Sequence, residues 1–518
     1  MAGPELVIGL VGPIGTELKI VAESLQRALA DVDYHARQIR LSQLLHHFDR
    51  FATLASIRDR EKYYDQHMNA GNELRVEVGH DALAVMAVAQ IRVRREESHS
   101  TVDQRTKDSP DSNGHPDPAD IPAPRTAYIV NSLKNPKEVE TLRNIYGDGF
   151  LLLAAYASRE TRRDTLAGEI AKSQNKEIDQ CLHVAERLID RDEEEHVKSG
   201  QAVRKTFYQA DAFIDTTDKT RIDGATRRFV SIVFGHPFET PSHDELGVAY
   251  AFTSALRSAD LSRQVGAAIC SDDGQVFAVG TNEVPKARGG LYWSSDDADY
   301  RDFRFVDRDE PNDEMRRVIL SDLLKQLHES ELIPESFAQD AFIDKAADAL
   351  RDSRLWDITE YGRAVHAEMA AITDAARRGV SLQGSTLYCT TFPCHNCAKH
   401  IVAAGINRVV YIEPYPKSQV RRLFSDSVAV DRRPKPHQVE FNSFVGIAPS
   451  RFHDFFKLTR RRDDDRHLVT WDTIKKTALP RTAGQPEAYL PRELDRIHTF
   501  HENLATKKIQ MTSKGGPA

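Results

Sequence analysis

The residues His366-Ala367-Glu368 and, further along, Pro393-Cys394-His395-Asn396-Cys397 have the types and spacing to do chemistry. Two thiolates and one imidazole, from Cys394, Cys397 and His366, make three ligands for a zinc ion. They leave a fourth tetrahedral position open, as a catalytic rather than a structural site does. Zinc with an open position brings the pKa of water there close to neutrality. Glu368 follows the ligand His366 closely enough to reach such a water without ligating the metal, so it can accept a proton and hand it on during a hydrolysis. A lone C-x-x-C also fits a redox pair or half of a structural zinc site, and a lone HAE fits any surface helix. The combination carries the reading. His395 is an alternative ligand, but its place between the cysteines turns it off their shared face.

Such a site needs helix starts after strands. VHAEMAAITDAARRG has apolar residues at helical spacing, and PCHNCAKHIVAAG opens on Pro393 and closes on Gly405, so both ligand sets are predicted to begin helices. There Cys394 and Cys397 share one face, and the positive helix end favours the thiolate. Thr386 to Thr390 and Arg408 to Ile412 read as strands. Gly266 to Cys270 and Gln275 to Thr281 read as a hairpin joined at Asp273-Gly274. A helix over Glu245 to Ser258 precedes them. Cys270 and Cys389 fall within apolar strands and read as buried structural thiols.

The N-terminal half has its own pattern. Leu6 to Val11 reads as a buried strand, Gly12 and Gly15 as a turn, and Leu18 to Leu29 as an amphipathic helix. Strands at Thr126 to Asn131 and Phe150 to Ala155 flank a helix at Asn135 to Tyr146, so this half reads as a parallel α/β domain ending near Arg228. A Ser-, Asp- and Pro-rich stretch near 98–124 reads as a disordered insertion. The expected organisation is therefore a domain over 1–228, a metal-binding domain over 240–448 with a polar insertion near 284–362, and a charged extension over 449–518.

The 518 residues carry a formal net charge of -8, with 40% hydrophobic and 29% charged residues, a globular composition that favours small substrates over nucleic-acid polymers. No apolar run is long enough to span a bilayer, and the N-terminus lacks a signal-peptide pattern. Five scattered cysteines do not make a disulfide framework and fit a reducing cytoplasm.

H-x-E with P-C-x-x-C is the signature of zinc nucleobase deaminases. With Arg257 to Gly266 (RSADLSRQVG), Gly280 to Lys286 (GTNEVPK) and Tyr411 to Ser418 (YIEPYPKS), the C-terminal half resembles the deoxycytidylate deaminase family. The two-domain arrangement resembles the anti-phage dCTP deaminases of bacteria. This implies a cytidine deaminase-like α/β/α fold with a mixed sheet. It also implies Zn2+ as cofactor, dCTP or dCMP as substrate, and either an antiviral or a housekeeping role. A polynucleotide deaminase is a third class, disfavoured by charge. The resemblance further implies that Asn282 holds the sugar and base and that the Ala367 amide donates to the pyrimidine carbonyl. Arg263 and Lys417 would meet phosphate. A nucleotide effector or inhibitory small RNA, and assembly into a homo-oligomer, are expected partners; a membrane is not.

The N-terminal half resembles P-loop nucleotide kinases with a damaged loop. Gly15-Thr16-Glu17 stands where Gly-Lys-Ser/Thr belongs, so the lysine and the magnesium-binding hydroxyl are missing. Gly12, Gly15 and Thr16 form either a nest of amides for an anion or a bare structural turn. Arg159, Arg162 and Arg163 occupy a place like lid arginines. The expected role is sensing or regulation without phosphate transfer.

Overall fold

The computed structural model describes residues 3–103, 117–193, 203–307, 309–415 and 417–511. It divides into two units, Met1–Pro241 with Val445–Ala518, and Ser242–Phe444. In chain order the strands are β1 (Leu6–Val11), β2 (His35–Arg40), β3 (Thr126–Leu133), β4 (Phe150–Tyr156) and β5 (Ala212–Asp215) in the first unit. The second unit holds β6 (Gly266–Cys270), β7 (Val276–Thr281), β8 (Thr386–Thr391), β9 (Arg408–Glu413), β10 (Val428–Val430) and β11 (Val439–Ser443), and the chain then returns to the first unit as β12 (Gly446–Ile447).

The first sheet runs β2-β3-β1-β4-β5-β12. All its pairings are parallel except β12 against β5. It is therefore mixed rather than purely parallel, because two residues far along the chain supply an antiparallel edge. β1 and β4 read LVIGLV and FLLLAAY and are buried along nearly their whole lengths, as strands covered on both faces must be. β2, HARQIR, is a polar edge strand without an apolar run to announce it.

Two expectations change. The segment 449–518 is not a separate extension: it belongs to the first unit, where the Pro486–Lys507 helix buries Tyr489, Glu493, Phe500 and Leu504. Arg95 draws Glu493 inward, with Nη1 to Oε2 and Nη2 to Oε1 both at 2.8 Å. Within the stretch expected as an insertion near 98–124, the Ala82–Asp103 helix runs through the first residues and Pro118–Asp120 forms a 3-10 turn. Residues 104–116 of it lie outside the described residues.

The second sheet runs β7-β6-β8-β9-β11-β10, antiparallel at β6-β7 and β6-β8 and parallel from β8 to β10. The His243–Ala255 helix packs on β6 and the Ala367–Arg377 helix on β7 at distances that exclude side chains at the crossing points. A Cβ on Gly280 would lie 2.0 Å from the Ala367 carbonyl oxygen. The segment expected as an insertion near 284–362 contains helices Pro311–Glu329 and Asp340–Ala349. No helix among the described residues is long and apolar enough to cross a membrane.

Candidate metal centre and active-site cavity

Each ligand set caps a helix that leaves a bridge or strand of the second unit. Val365 forms a bridge with Glu283, and His366 is then the N-cap of Ala367–Arg377, placing its ring and the Glu368 carboxyl at the start of that helix. β8 ends at Thr391, and Cys394 caps His395–Ala403, its sulfur accepting from the Cys397 N–H at 3.4 Å. The Nδ1 of His366 lies 3.3 Å from both the Cys394 and the Cys397 sulfur, and the donor atoms all fall within 4.8 Å of one another. A tetrahedron with metal–ligand bonds of roughly 2.0–2.3 Å has edges of about 3.5 Å, so the set fits zinc. The charges fit as well. The hydrogen bond to Cys394 raises the His366 imidazole to about 9, and the bond from Cys397 holds the Cys394 thiol down at about 4. Both shifts favour positive charge beside the two sulfurs, the charge that a divalent cation would supply.

Glu368 is 4% exposed, and burial pushes its carboxyl above the usual range. The Cys397 sulfur stands 3.5 Å from its Oε2. His366, Ala367, Glu368 and Cys394 line a cavity of about 540 Å3. Cys270 and Cys389 are buried elsewhere in the sheet, with Cys270 pushed up to about 11 by burial, as inert thiols should be.

The other sequence-predicted residues also reach this cavity, in different states. The Asn282 Oδ1 accepts from the Val265 N–H at 2.7 Å and its Nδ2 donates to the Arg263 carbonyl at 2.8 Å, so Asn282 shapes the loop that carries Arg263. One N–H and one lone pair of the amide are left over. The Arg263 guanidinium lies over the Tyr415 ring, 5.8 Å from its centroid, and opposes the upward push of burial on Glu413. Lys417 is engaged by Asp357 at 2.7 Å. His395 points away toward Glu360, at 3.6 Å.

Sequence reasoning missed the far wall. Asp302, Asn312, Arg316 and Arg363 line the cavity, the first three from the segment read as an insertion. Arg316 donates to the Ile358 carbonyl and to Asp313, and Arg363 to Asp302 at 2.6 Å. Only long-range packing brings them in, and no local spacing signals it.

In the first unit Gly12, Gly15 and Thr16 form a closed turn after β1, with Thr16 N–H bonded to the Pro13 carbonyl at 3.2 Å. Gly15 has a φ of +85°, and a Cβ there would meet the Arg162 carbonyl at 2.6 Å, so only glycine fits. Glu17 pairs with Lys219 at 2.6 Å. Arg159 and Arg163 are spent on Glu186, Asp190 and Asp164.

Residues 241–413 match the family described as the cytidine and deoxycytidylate deaminase zinc-binding region. The deoxycytidylate deaminase of Enterobacteria phage T2 is 49% identical over 55 residues, which are 11% of this chain and 29% of that protein, so the match spans less than a third of the phage relative. The probable deoxycytidylate deaminase of Drosophila melanogaster is 28% identical over 216 residues, 40% of this chain and 81% of that one. Among solved structures, the dCMP deaminase from the cyanophage S-TIM5 in complex with dCMP and dUMP covers 40% of this chain and 100% of its own. Its identity is 18% and its TM-score 0.22. The zinc-ligand geometry and the family match together make the second unit a cytidine and deoxycytidylate deaminase-type zinc domain.

Proposed function

We propose that the second unit hydrolytically deaminates free deoxycytidine nucleotides, dCTP and dCMP, to their deoxyuridine counterparts and ammonia. The observation that carries this reading is the buried Glu368 carboxyl at the wall of the cavity, beside a three-ligand set that fits zinc. Zinc, when bound there, supplies Lewis-acid activation of a water. Glu368 accepts a proton from the attacking water and delivers it to N3 of the cytosine ring, then takes the remaining proton from the new C4 hydroxyl and passes it to the amino nitrogen, which departs as ammonia as the C4–N bond breaks and the C4 carbonyl forms. Burial raises its proton affinity and so suits this shuttle. The Ala367 N–H, among the first donors of its helix, has no partner within the helix and is offered to the pyrimidine carbonyl.

Asn282 uses its remaining N–H and lone pair on the sugar. Close packing at the 2′-carbon rejects ribonucleotides, because a buried hydroxyl without a partner costs roughly 1–3 kcal/mol. Arg263 meets the phosphates, and Lys417 joins it by exchanging Asp357 for phosphate oxygen. With Arg316 and Arg363 also on the wall, the triphosphate is used as well as or better than the monophosphate.

The biological reading is depletion of dCTP as defence against phage. The first unit acts as a P-loop kinase-like regulatory domain that transfers no phosphate. The central strand, glycine turn and following helix support the fold, and Thr16 and Glu17 in place of the phosphate-handling residues support the inactivity. A housekeeping supply of dUMP is the second reading, favoured by the deoxycytidylate deaminase names of the relatives.

Zinc-loaded protein incubated with dCMP, dCTP, CTP and cytidine, followed by chromatography, is expected to yield dUMP and dUTP and to leave CTP largely intact. Untouched free nucleotides with deaminated single-stranded DNA or tRNA would replace this reading with the polynucleotide one.

A further inference from the structure

The first unit holds a second cavity, of about 490 Å3, lined by residues at the carboxyl ends of β1, β2 and β3. Open parallel sheets take their ligands at such a place. The glycine turn forms one wall. Within it the Ile14 N–H donates to Asp192 Oδ2 at 2.6 Å, while Lys134 Nζ reaches Asp192 Oδ1 at 3.0 Å and the Gly12 carbonyl at 2.9 Å. Asp192 is completely buried. A backbone N–H and an ammonium are also the groups that hold a phosphate oxygen. Beside them stands Arg162, whose backbone touches Gly15. Its guanidinium is bonded to Glu193, the neighbour of Asp192, yet its Nε and Nη1 are buried without a hydrogen-bond partner. Among the described residues these two Arg162 nitrogens are the donors that Asp192 and Glu193 leave unsatisfied, although Arg162 does not itself line the cavity.

We propose that the glycine turn is an anion site filled by the chain's own Asp192, and that it takes up a polyphosphate once that carboxylate is removed. This deepens the reading of the first unit as a phosphate-loop-like fold and is independent of the deaminase reading. Phosphotransfer assays bear on the former, and the binding difference described next bears on the inference.

Full-length, zinc-loaded protein is titrated with tripolyphosphate by calorimetry. Asp192→Ala is expected to bind about tenfold or more tightly than the wild type. The double variant Asp192→Ala with Lys134→Met should lose that gain. Cations of the deaminase cavity are shared by all three proteins, so only the differences count. A folded Asp192→Ala protein that binds no tighter than the wild type, or a gain that survives Lys134→Met, overturns the proposal. If Asp192→Ala does not fold, hydrogen exchange over residues 12–18 of the wild type decides the matter. A self-filled site exchanges slowly at Ile14 whether or not tripolyphosphate is present, and added protection by tripolyphosphate overturns the proposal.

Discussion

In the first unit the fully buried Arg95 donates from Nε to Glu5 at 3.0 Å, from Nη1 to the Ala119 carbonyl and Glu493, and from Nη2 to Glu493 again. Arg75 and Glu138, 2% and 0% exposed at their side chains, close a second such pair at 2.7 Å. In the second unit the buried Glu368 has, among the described residues, a thiol at 3.5 Å as its side-chain partner, and His366, Cys394 and Cys397 press their donor atoms together. The first arrangement spends its charges on the chain itself. The second keeps them for something the chain does not contain. Buried polar groups are satisfied as a rule, so a cluster of incompletely satisfied titratable groups against a cavity marks a site of chemistry, whereas satisfied pairs mark architecture.

That contrast can be broken by substitution. The largest effect is expected at the metal: Cys394→Ser should remove most of the bound zinc and all measurable turnover, as metal analysis and ammonia release would show. Retained zinc with full activity would mean that the sulfur is not a ligand. Next comes the architectural side. Glu493→Ala leaves the Arg95 charge buried with Glu5 as its remaining carboxylate partner and should lower the stability of the first unit by about 3–5 kcal/mol in denaturant unfolding. It should leave turnover per folded molecule unchanged. A stable variant would show that Arg95 finds water instead. A smaller effect is expected at Asn282→Ala, where kcat/KM should fall about ten- to a hundredfold with zinc retained, through loss of the sugar contact and loosening of the Arg263 loop. Unchanged kinetics would reduce Asn282 to a loop tie.

The same contrast accounts for what could be read in the sequence. His366, Glu368, Cys394 and Cys397 announce themselves because helix geometry gathers residues close in sequence, and β6 stands where the run GAAIC places it. Gly15 was legible as a turn for the same local reason. Glu493 was not, because a carboxylate beside Arg492, Asp495 and Arg496 reads as solvated, and nothing nearby tells that Arg95 will bury it. Arg316 and Asn312 looked like solvated residues of an insertion, and only the path of the chain back to the cavity makes them wall residues. β2 and β12 were missed because a polar edge and a two-residue pairing are specified by the partner strand rather than by their own pattern.

The proposed deamination rests on Glu368 as the proton carrier rather than a ligand or a structural acid. Glu368→Gln keeps the shape and removes the titration. Measured side by side for bound zinc and for ammonia released from dCTP, the variant is expected to hold one zinc per chain, as the wild type does, and to turn over about a hundredfold or more slowly. Wild-type turnover in the variant, or loss of zinc from a folded protein, would contradict the assignment.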